Sequence, residues 1–323
     1  MRYRKLGRTG MEISELGFGA WGIGQFMWIG ADDATSLEAL KAARDAGVNF
    51  YDTALAYGEG HSERLLARAF GSSAEVFLAT KVPPKNLIWP ARPDSTLAEV
   101  FPREHVLASL NTSLANLGRE RVDLFQFHVW NDRWADEPEW RRTVEEIKAG
   151  GKARAIGISI NDHQPSNSLR ALSTGLVDVV QVIYNIFDQS PEDELFPACR
   201  RQCVGVIARV PFDEGSLTGH IRPETQFPEG DWRNLYFAGG RKREVWERVQ
   251  HICADLGIKL EELPALALRF CISPPEVSTV IPGIRTPAHA RANAEAVAAG
   301  ALTPATLAQL RPHRWVRNYY PEH

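Results

Sequence analysis

The feature that most constrains the fold of this chain is an eightfold alternation of short apolar runs with amphipathic segments. The runs are Ile13–Trp21, Val48–Thr53, Glu75–Val82, Val122–His128, Ala153–Ile160, Val177–Tyr184, Val204–Arg209 and Val277–Pro282. Most of them are apolar on both faces, as the stretch 177–180 illustrates. Strands of this kind are typical of a parallel sheet covered by helices, whereas a half-exposed antiparallel sheet alternates apolar and polar residues.

The segments between the runs have the pattern of helices with ordinary caps. One begins at Asp32–Asp33 and is followed by Gly47, and a polar start with a glycine stop is a common pair of helix boundaries. Strand followed by helix eight times predicts an α/β fold, a (β/α)8 TIM barrel that forms one domain over residues 1–323. An open doubly wound sheet is the alternative, but it normally has fewer repeats. The other predicted helices are His61–Phe70, Arg103–Leu117, Glu137–Ala149, Pro165–Ser173, Glu192–Gln202, Glu261–Cys271 and Pro287–Ala299.

Two further segments are expected to decorate the barrel. Residues 1–14 place two short stretches around Gly7–Gly10, which predicts an N-terminal β-hairpin that could plug the barrel bottom. Residues 211–240 follow the seventh run and are rich in Gly, Pro, Asp and aromatic residues. A loop this long in a compact domain is usually functional, so we expect it to contact cofactor or substrate. An extra helix is predicted over Lys242–Leu256.

Charge and composition exclude several classes of protein. The formal net charge of −3 argues against a nucleic-acid partner, which would select a basic face. No apolar stretch approaches the length of a membrane span, and no apolar segment follows the charged first residues as in a secretory signal. The four cysteines include no CxxC pair, which disfavours a disulfide framework or a zinc site. These features predict a cytoplasmic protein with free thiols and no membrane partner.

Polar side chains stand where three successive apolar runs end, which is where a barrel carries its chemistry. The second run ends near Asp52, with Tyr57 a few residues later, the third ends near Lys81 and the fourth at His128. Taken singly, each is explained by an ordinary structural role such as a turn residue, a solvated rim charge or a buried histidine. Those separate roles do not explain why an acid, a phenol, an ammonium and an imidazole would all meet at one mouth.

Ordered segments along nearly the whole chain resemble the aldo-keto reductase family. The residues that carry the resemblance are Leu16–Gly19, Gly47–Ala54, Tyr57–Gly58, Ser62–Glu63, Thr80–Lys81, Gln126–His128, Gly157–Ser159, Gln181, Tyr184–Asn185, Gly215–Gly219 and Ile281–Gly283 through Asn293. The resemblance implies a barrel enzyme that passes hydride between a nicotinamide cofactor and a carbonyl. A set of ordered matches is far more specific than a single short motif.

The resemblance assigns a role to each of the four polar residues. Hydride addition builds negative charge on the carbonyl oxygen, and Tyr57 would quench it by donating a proton. Lys81 would lower the pKa of the phenol, which is ordinarily near 10. Asp52 would hold Lys81 charged and oriented. A neutral His128 would donate a hydrogen bond to the carbonyl oxygen and fix its approach.

The chain lacks the strand–GxGxxG–helix unit of a Rossmann domain, so the resemblance instead implies a cofactor extended across the barrel mouth. Ser159 and Gln181 match the positions that hold the nicotinamide carboxamide, whereas Ile160 departs from the asparagine of many relatives. Arg209 stands where relatives often stack a tyrosine on the nicotinamide ring; the alternative for Arg209 is an ion pair with Asp213 or Glu214. The implied cofactor-binding residues are Gly19, Ala20, Trp21, Asp52, Ser159, Gln181, Arg209, Pro211, Gly215, Leu217, Gly283, Arg285, His289 and Asn293.

The choice of cofactor rests on Arg285. It precedes a predicted helix that also contains His289 and Arg291, and a helix N-terminus with an arginine nearby is a natural phosphate site. Arg285 is therefore the candidate for the 2′-phosphate of NADPH. Gly283 replaces the lysine that relatives commonly carry, which leaves NADH possible.

Aromatic residues just past the strand ends could line a pocket for a small carbonyl substrate. These are Trp21, Trp89, Trp130 and Phe187, and packing within loops is the alternative for each. Two other functions remain open at this point. One is a non-catalytic nicotinamide-binding regulator like the β-subunits of potassium channels, and the other is a metal-dependent lyase or hydrolase using Asp52. The metal alternative is disfavoured because few ligands converge and Lys81 would repel the ion. The sequence leaves the oligomeric state open.

Overall fold

The computed structural model of the chain describes residues 1–25 and 29–317. Its strands are β1 (Tyr3–Lys5), β2 (Glu12–Ser14), β3 (Phe18–Gly19), β4 (Phe50–Asp52), β5 (Phe77–Val82), β6 (Val122–Phe127), β7 (Ala153–Ser159), β8 (Val179–Ile183), β9 (Gly205–Arg209) and β10 (Val277–Ile281). β3 to β10 lie side by side in chain order, and every neighbouring pair is parallel. Parallel bridges from Leu16 to Val280 and from Gly19 to Gly283 close the ring. The predicted (β/α)8 barrel is confirmed.

Helices cover the outside of the ring. They are α1 (Asp33–Asp45), α2 (His61–Phe70), α3 (Leu97–Val100), α4 (Arg103–Leu117), α5 (Pro138–Ala149), α6 (Leu169–Ser173), α7 (Leu195–Gln202), α8 (Arg233–Tyr236), α9 (Arg241–Leu256), α10 (Leu263–Cys271), α11 (Pro287–Ala298) and α12 (Pro304–Leu310). Capping follows the sequence: the Asp32 side chain accepts a hydrogen bond from the Thr35 amide at the start of α1. Among the described residues, no helix is both long enough and apolar enough to cross a membrane.

Several predicted boundaries move. The first apolar run forms a barrel strand only at Phe18–Gly19, with a separate bridge at Leu16, and its residues Ile13 and Ser14 belong to the hairpin. The helix predicted over Pro165–Ser173 begins at Leu169 rather than Pro165, since the preceding residues form turns. The helix predicted from Glu192 begins at Leu195, after a 3-10 turn. The predicted loop 211–240 contains a 3-10 segment and α8, and the extra helix α9 follows it as expected.

The N-terminal hairpin forms as predicted and closes the bottom of the barrel. β1 and β2 pair antiparallel. Leu6, Met11 and Ile13 are fully buried, and they pack against the inward-facing residues near the strand starts, which are Phe50, Ala79, Leu124, Ala155, Val179 and Ile207. Gly7 takes a left-handed φ of 51°, and a Cβ there would lie 2.2 Å from the Gly205 nitrogen. Only glycine fits where the turn meets the start of β9.

This packing predicts a stability effect without an effect on the mouth. Ile13→Ala removes a fully buried side chain, and we expect it to lower the free energy of unfolding by about 2–5 kcal/mol. Leu235→Ala is the control, because that side chain is 59% exposed and surface changes usually stay within about 0.5 kcal/mol. Denaturant unfolding of wild type and both variants measures the difference. If Ile13→Ala were as stable as Leu235→Ala, the hairpin would not stabilise the bottom of the barrel.

Candidate active site

The four polar residues predicted from the strand ends do meet at the carboxyl-terminal mouth of the barrel. Asp52 is the last residue of β4, Lys81 is the last but one of β5, and His128 directly follows β6. Tyr57 lies in the loop between β4 and α2. The parallel register brings these positions side by side, with Asp52 opposite Ala79 and Lys81 opposite Gln126.

Lys81 is the hub of this group. Its side chain is fully buried, and its Nζ donates to Asp52 Oδ2 at 2.5 Å, to the Thr53 carbonyl at 2.8 Å and to the Tyr57 hydroxyl at 3.3 Å. Burial lowers the pKa of Lys81, but the Asp52 carboxylate and Tyr57 outweigh it and hold that pKa above its usual value. The ammonium is therefore charged at neutral pH and touches the phenol directly.

Asp52 is fixed by two glutamines that extend the network across the barrel. Its Oδ1 accepts from Gln181 Nε2 at 2.8 Å and from Gln126 Nε2 at 3.2 Å, while Oδ2 accepts from Lys81. Every oxygen of this buried carboxylate thus has a donor, as a buried charge requires. Gln126 was not predicted as a site residue; its polar side chain in the middle of an apolar run was the available signal.

Burial shifts the pKa values of Tyr57 and His128 in opposite directions. Burial raises the pKa of Tyr57, and the Lys81 ammonium lowers it by less. Lys81 thus acts on this pKa in the predicted direction, but burial outweighs it and the net shift is upward. For His128, burial lowers the pKa well below its usual value, and the charges of Lys81 and Arg209 add to this. A neutral imidazole therefore faces the Tyr57 ring, with the ring centroids 5.6 Å apart.

A glycine contact positions the loop that carries Tyr57. Gly58 takes a φ of 63°, and a Cβ there would lie 2.0 Å from the Gly24 carbonyl oxygen. A Cβ on Gly24 would in turn lie 3.0 Å from the Tyr57 backbone. The loops after β3 and β4 can approach this closely only because both positions are glycine.

Two of the four predicted aromatic residues flank the site. Trp21 lies 6.4 Å from the Tyr57 ring, and Trp89, which is 37% exposed, lies edge-on to His128 at 5.9 Å, both between ring centroids. The prediction that Trp130 lines the pocket is wrong, because its side chain is fully buried in a cluster with Phe127, Trp134 and Trp140. Phe187 is likewise buried, edge-on to Trp315.

Ser159, the last residue of β7, lies opposite Gln181 in the middle of β8. Both are nearly inaccessible, and within the described ranges the Ser159 hydroxyl and Gln181 Oε1 bond to no residue. The Ser159 hydroxyl, as a donor, and Gln181 Oε1, as an acceptor, are therefore adjacent and available to a ligand. Asn161 does not join them, because its Oδ1 accepts from the Ala91 and Trp130 amides and it serves the loop instead.

Arg209, the last residue of β9, has a different ion-pair partner from the two considered from sequence. Its Nη2 bonds to Asp162 and donates to the Ile160 carbonyl at 2.9 Å. Asp213 instead accepts from the Ser216 and Tyr236 hydroxyls. The alternative of a pair with Asp213 or Glu214 is therefore replaced by a pair with Asp162.

The remaining predicted cofactor residues lie on three rim segments. Gly19 ends β3, Ala20 follows it and both are buried, and a Cβ on Gly19 would meet the Pro282 carbonyl at 2.8 Å. Arg285 Nη1 donates to the Ile29 carbonyl at 3.2 Å, and the Thr286 side chain caps α11 by accepting from the His289 amide. The other members are Pro211, Gly215, Leu217, Gly283 and Asn293; of these, Leu217 is fully buried and Gly283 is exposed.

These residues fit a nicotinamide cofactor. The open Ser159 hydroxyl and Gln181 carbonyl complement the two ends of a carboxamide. His128 Nδ1 is buried and has no hydrogen-bond partner among residues 1–25 and 29–317. A Cβ on Gly283 would meet nothing within 4 Å, so there is room beside the start of α11. A metal does not fit as well, because no three His, Cys, Asp or Glu side chains in the same ranges are arranged to hold one.

Comparison with known proteins agrees with this geometry. The family profile described as "Aldo/keto reductase family" matches residues 15–314. The chain is 30% identical to the aldo-keto reductase YhdN of Bacillus subtilis, over 91% of this chain and 88% of that protein. It is 27% identical to the NADH-specific methylglyoxal reductase of Escherichia coli, over 92% and 94%. The holo form of aldo-keto reductase AKR11C1 from Bacillus halodurans superposes with a TM-score of 0.75 at 25% identity, over 97% and 96%.

A probable voltage-gated potassium channel subunit beta of Oryza sativa is also similar, at 28% identity over 88% of this chain and 87% of that one. The profile match spans nearly the whole barrel, from the end of the hairpin to the residues after α12. The chain belongs to the aldo/keto reductase family and is a nicotinamide-dependent oxidoreductase.

Proposed function

We propose that this protein reduces aldehydes or ketones to alcohols with NADPH, and that Tyr57 is the proton donor. The observation that carries the proposal is the buried Lys81 Nζ, which bonds at once to Asp52 and to the Tyr57 hydroxyl. A phenol beside a buried ammonium can give up its proton to an oxygen that gains charge. Loss of NADPH absorbance with a panel of aldehydes and ketones tests the proposal, and no turnover of any of them would contradict it.

Each residue of the mouth has a part in this reaction. When bound, the nicotinamide cofactor supplies the hydride, and Ser159 and Gln181 orient its carboxamide. Tyr57 delivers a proton to the carbonyl oxygen, and neutral His128 donates a hydrogen bond to the same oxygen. Trp21 and Trp89 provide apolar walls for a small substrate.

If the protein prefers NADPH, Arg285→Ala should weaken the binding of NADPH and not that of NADH. A guanidinium binds a 2′-phosphate by charge-assisted hydrogen bonds, and losing such a bond costs about 1.5–3 kcal/mol. We therefore expect NADPH affinity to fall at least about tenfold while NADH affinity stays nearly constant, because NADH has no group there. His289 could share the phosphate and reduce the loss. Dissociation constants of both cofactors for wild type and variant measure it.

Arg200→Ala is the matched control, because it removes the same charge from an exposed side chain, which pairs with Glu276 beside the start of β10, at the opposite end of the barrel. Equal weakening of both cofactors in Arg285→Ala would mean that Arg285 supports the loop through Ile29 rather than reading the phosphate. A wild type that prefers NADH would overturn the NADPH assignment itself.

A non-catalytic nicotinamide-binding regulator is the second candidate, and the similarity to the rice channel subunit favours it. NADPH binding without turnover of any carbonyl would support this candidate. Quenching of protein fluorescence by NADPH, followed by an assay with a generic aldehyde, separates the two. For either function we propose a reducing, cytoplasmic setting, which agrees with four free thiols at Cys199, Cys203, Cys253 and Cys271.

A further inference from the structure

We propose that Asp162 is a specificity-determining residue that sets the relative affinity for oxidised and reduced cofactor, by cancelling the charge of Arg209 beside the nicotinamide. The inference rests on the proposed function, since it needs a nicotinamide at the mouth. The inference explains how a positively charged nicotinamide ring can bind beside Arg209, which membership of the family does not explain.

The position of Arg209 makes its charge consequential. It ends β9, opposite Ile183 of β8 and Ile281 of β10, and so stands at the same rim as the catalytic residues. Its charge reaches the site, because it lowers the pKa of both Tyr57 and His128. An oxidised nicotinamide ring carries a positive charge and a reduced ring does not. An uncompensated guanidinium at this rim would therefore repel only the oxidised form.

Asp162 lies where it can remove that repulsion. Its Oδ1 accepts from Arg209 Nη2, and the same nitrogen also donates to the Ile160 carbonyl, so the guanidinium is held against the end of β7. The two side chains are 16% and 18% exposed, and solvent and salt therefore screen the pair less than a surface pair. The pair presents the cofactor with a nearly neutral face.

The other acid near Arg209 does not replace Asp162 at neutral pH. Burial and the neighbouring carboxylates of Asp213 and Asp162 raise the pKa of Glu214 to about 8, against the opposing charges of Arg209 and Arg241. Glu214 is thus mostly protonated at pH 7. Asp162 bonds Arg209 directly, and its carboxylate balances the guanidinium.

The test compares dissociation constants of NADP⁺ and NADPH, measured by titration without substrate. Asp162→Asn keeps the size of the side chain and removes its charge, and we expect the affinity for NADP⁺ relative to NADPH to fall about tenfold, as one uncompensated charge in a partly screened site implies. Asp162→Glu keeps the charge and should restore much of the ratio. Asp193→Asn is the control, because it breaks a half-exposed pair with Arg314 outside the mouth.

Variants of Arg209 distinguish a charge effect from structural damage to the loop that carries Asp162. Arg209→Gln should raise the affinity for NADP⁺ relative to NADPH, because the Asp162 carboxylate is then uncompensated. The double variant Arg209→Gln/Asp162→Asn should return this ratio close to the wild-type value, because both charges are gone. Equal weakening of both cofactors in Asp162→Asn, with no rescue in the double variant, would overturn the inference and leave the proposed function standing. A wild type that binds neither cofactor would overturn both.

Discussion

Replacing Tyr57 with phenylalanine is expected to slow carbonyl reduction by about a hundredfold to ten-thousandfold, the usual range for loss of a general acid. The ring, its contacts with Trp21 and His128 and the shape of the mouth all remain. Only the hydroxyl that receives the hydrogen bond from Lys81 is lost. NADPH affinity should stay close to wild type, so steady-state rates together with a cofactor titration measure the effect.

Tyr51→Phe is the matched control for this prediction. It removes one buried hydroxyl, which bonds to the Val48 carbonyl, from the residue next to Asp52 in β4. We expect near-native turnover and a small loss of stability, about 1 kcal/mol for one hydrogen bond. Near-native turnover in Tyr57→Phe as well would show that the proton comes from elsewhere.

Lys81→Met is expected to reduce turnover by at least about a hundredfold and to move the pH profile of the remaining activity upward. With Tyr57 as the proposed proton donor, reduction would require a protonated phenol and would be lost as pH rises through the pKa of that phenol. Burial raises that pKa and the Lys81 ammonium lowers it, so removing the ammonium leaves the phenol protonated to higher pH. Oxidation of an alcohol, which needs the phenolate, should then require a more alkaline pH. Rates across pH in both directions measure the shift.

Asp52→Asn should also lower turnover and shift the pH profile upward, but less than Lys81→Met does, because two effects on the pKa of Tyr57 oppose each other. Without the carboxylate, burial lowers the pKa of Lys81 and weakens its charge. The carboxylate itself raises the pKa of Tyr57, so its removal also lowers that pKa directly. An unchanged pH profile in both Lys81→Met and Asp52→Asn would mean that the ammonium is not coupled to the phenol.

The sequence was sufficient for the barrel and for the location of the four polar residues at its mouth. Strands buried on both faces leave a long apolar signature, so all eight runs contain a strand. Strand ends in a parallel barrel necessarily share one rim, so Asp52, Lys81 and His128 could be placed together without knowledge of side-chain contacts. The weakest signal was that of β3, which spans only Phe18–Gly19 and has a glycine on each side of the phenylalanine.

What could not be predicted depends on the paths of loops and the directions of side chains. Asp162 pairs with Arg209 across 47 positions of sequence, and nothing local marks the two as partners. Trp130 follows a strand end as Trp89 does, yet the loop turns its ring into the core. The net pKa of Tyr57 depends on how much solvent the surrounding loops exclude, which sets burial against the nearby ammonium.

The hairpin at the bottom of the barrel has a consequence for synthesis of the chain. Arg4 donates to the carbonyls of Ile272 and Val277, and Arg2 donates to that of Val297, so the hairpin is held by residues 268 to 295 positions later in the sequence. Closing contacts this distant in sequence slows folding, because the intervening chain must be ordered first. On the ribosome, Leu6 and the rest of the hairpin's apolar face therefore stay uncovered until β10 and α11 have emerged, and we expect chaperones to bind this segment in the meantime.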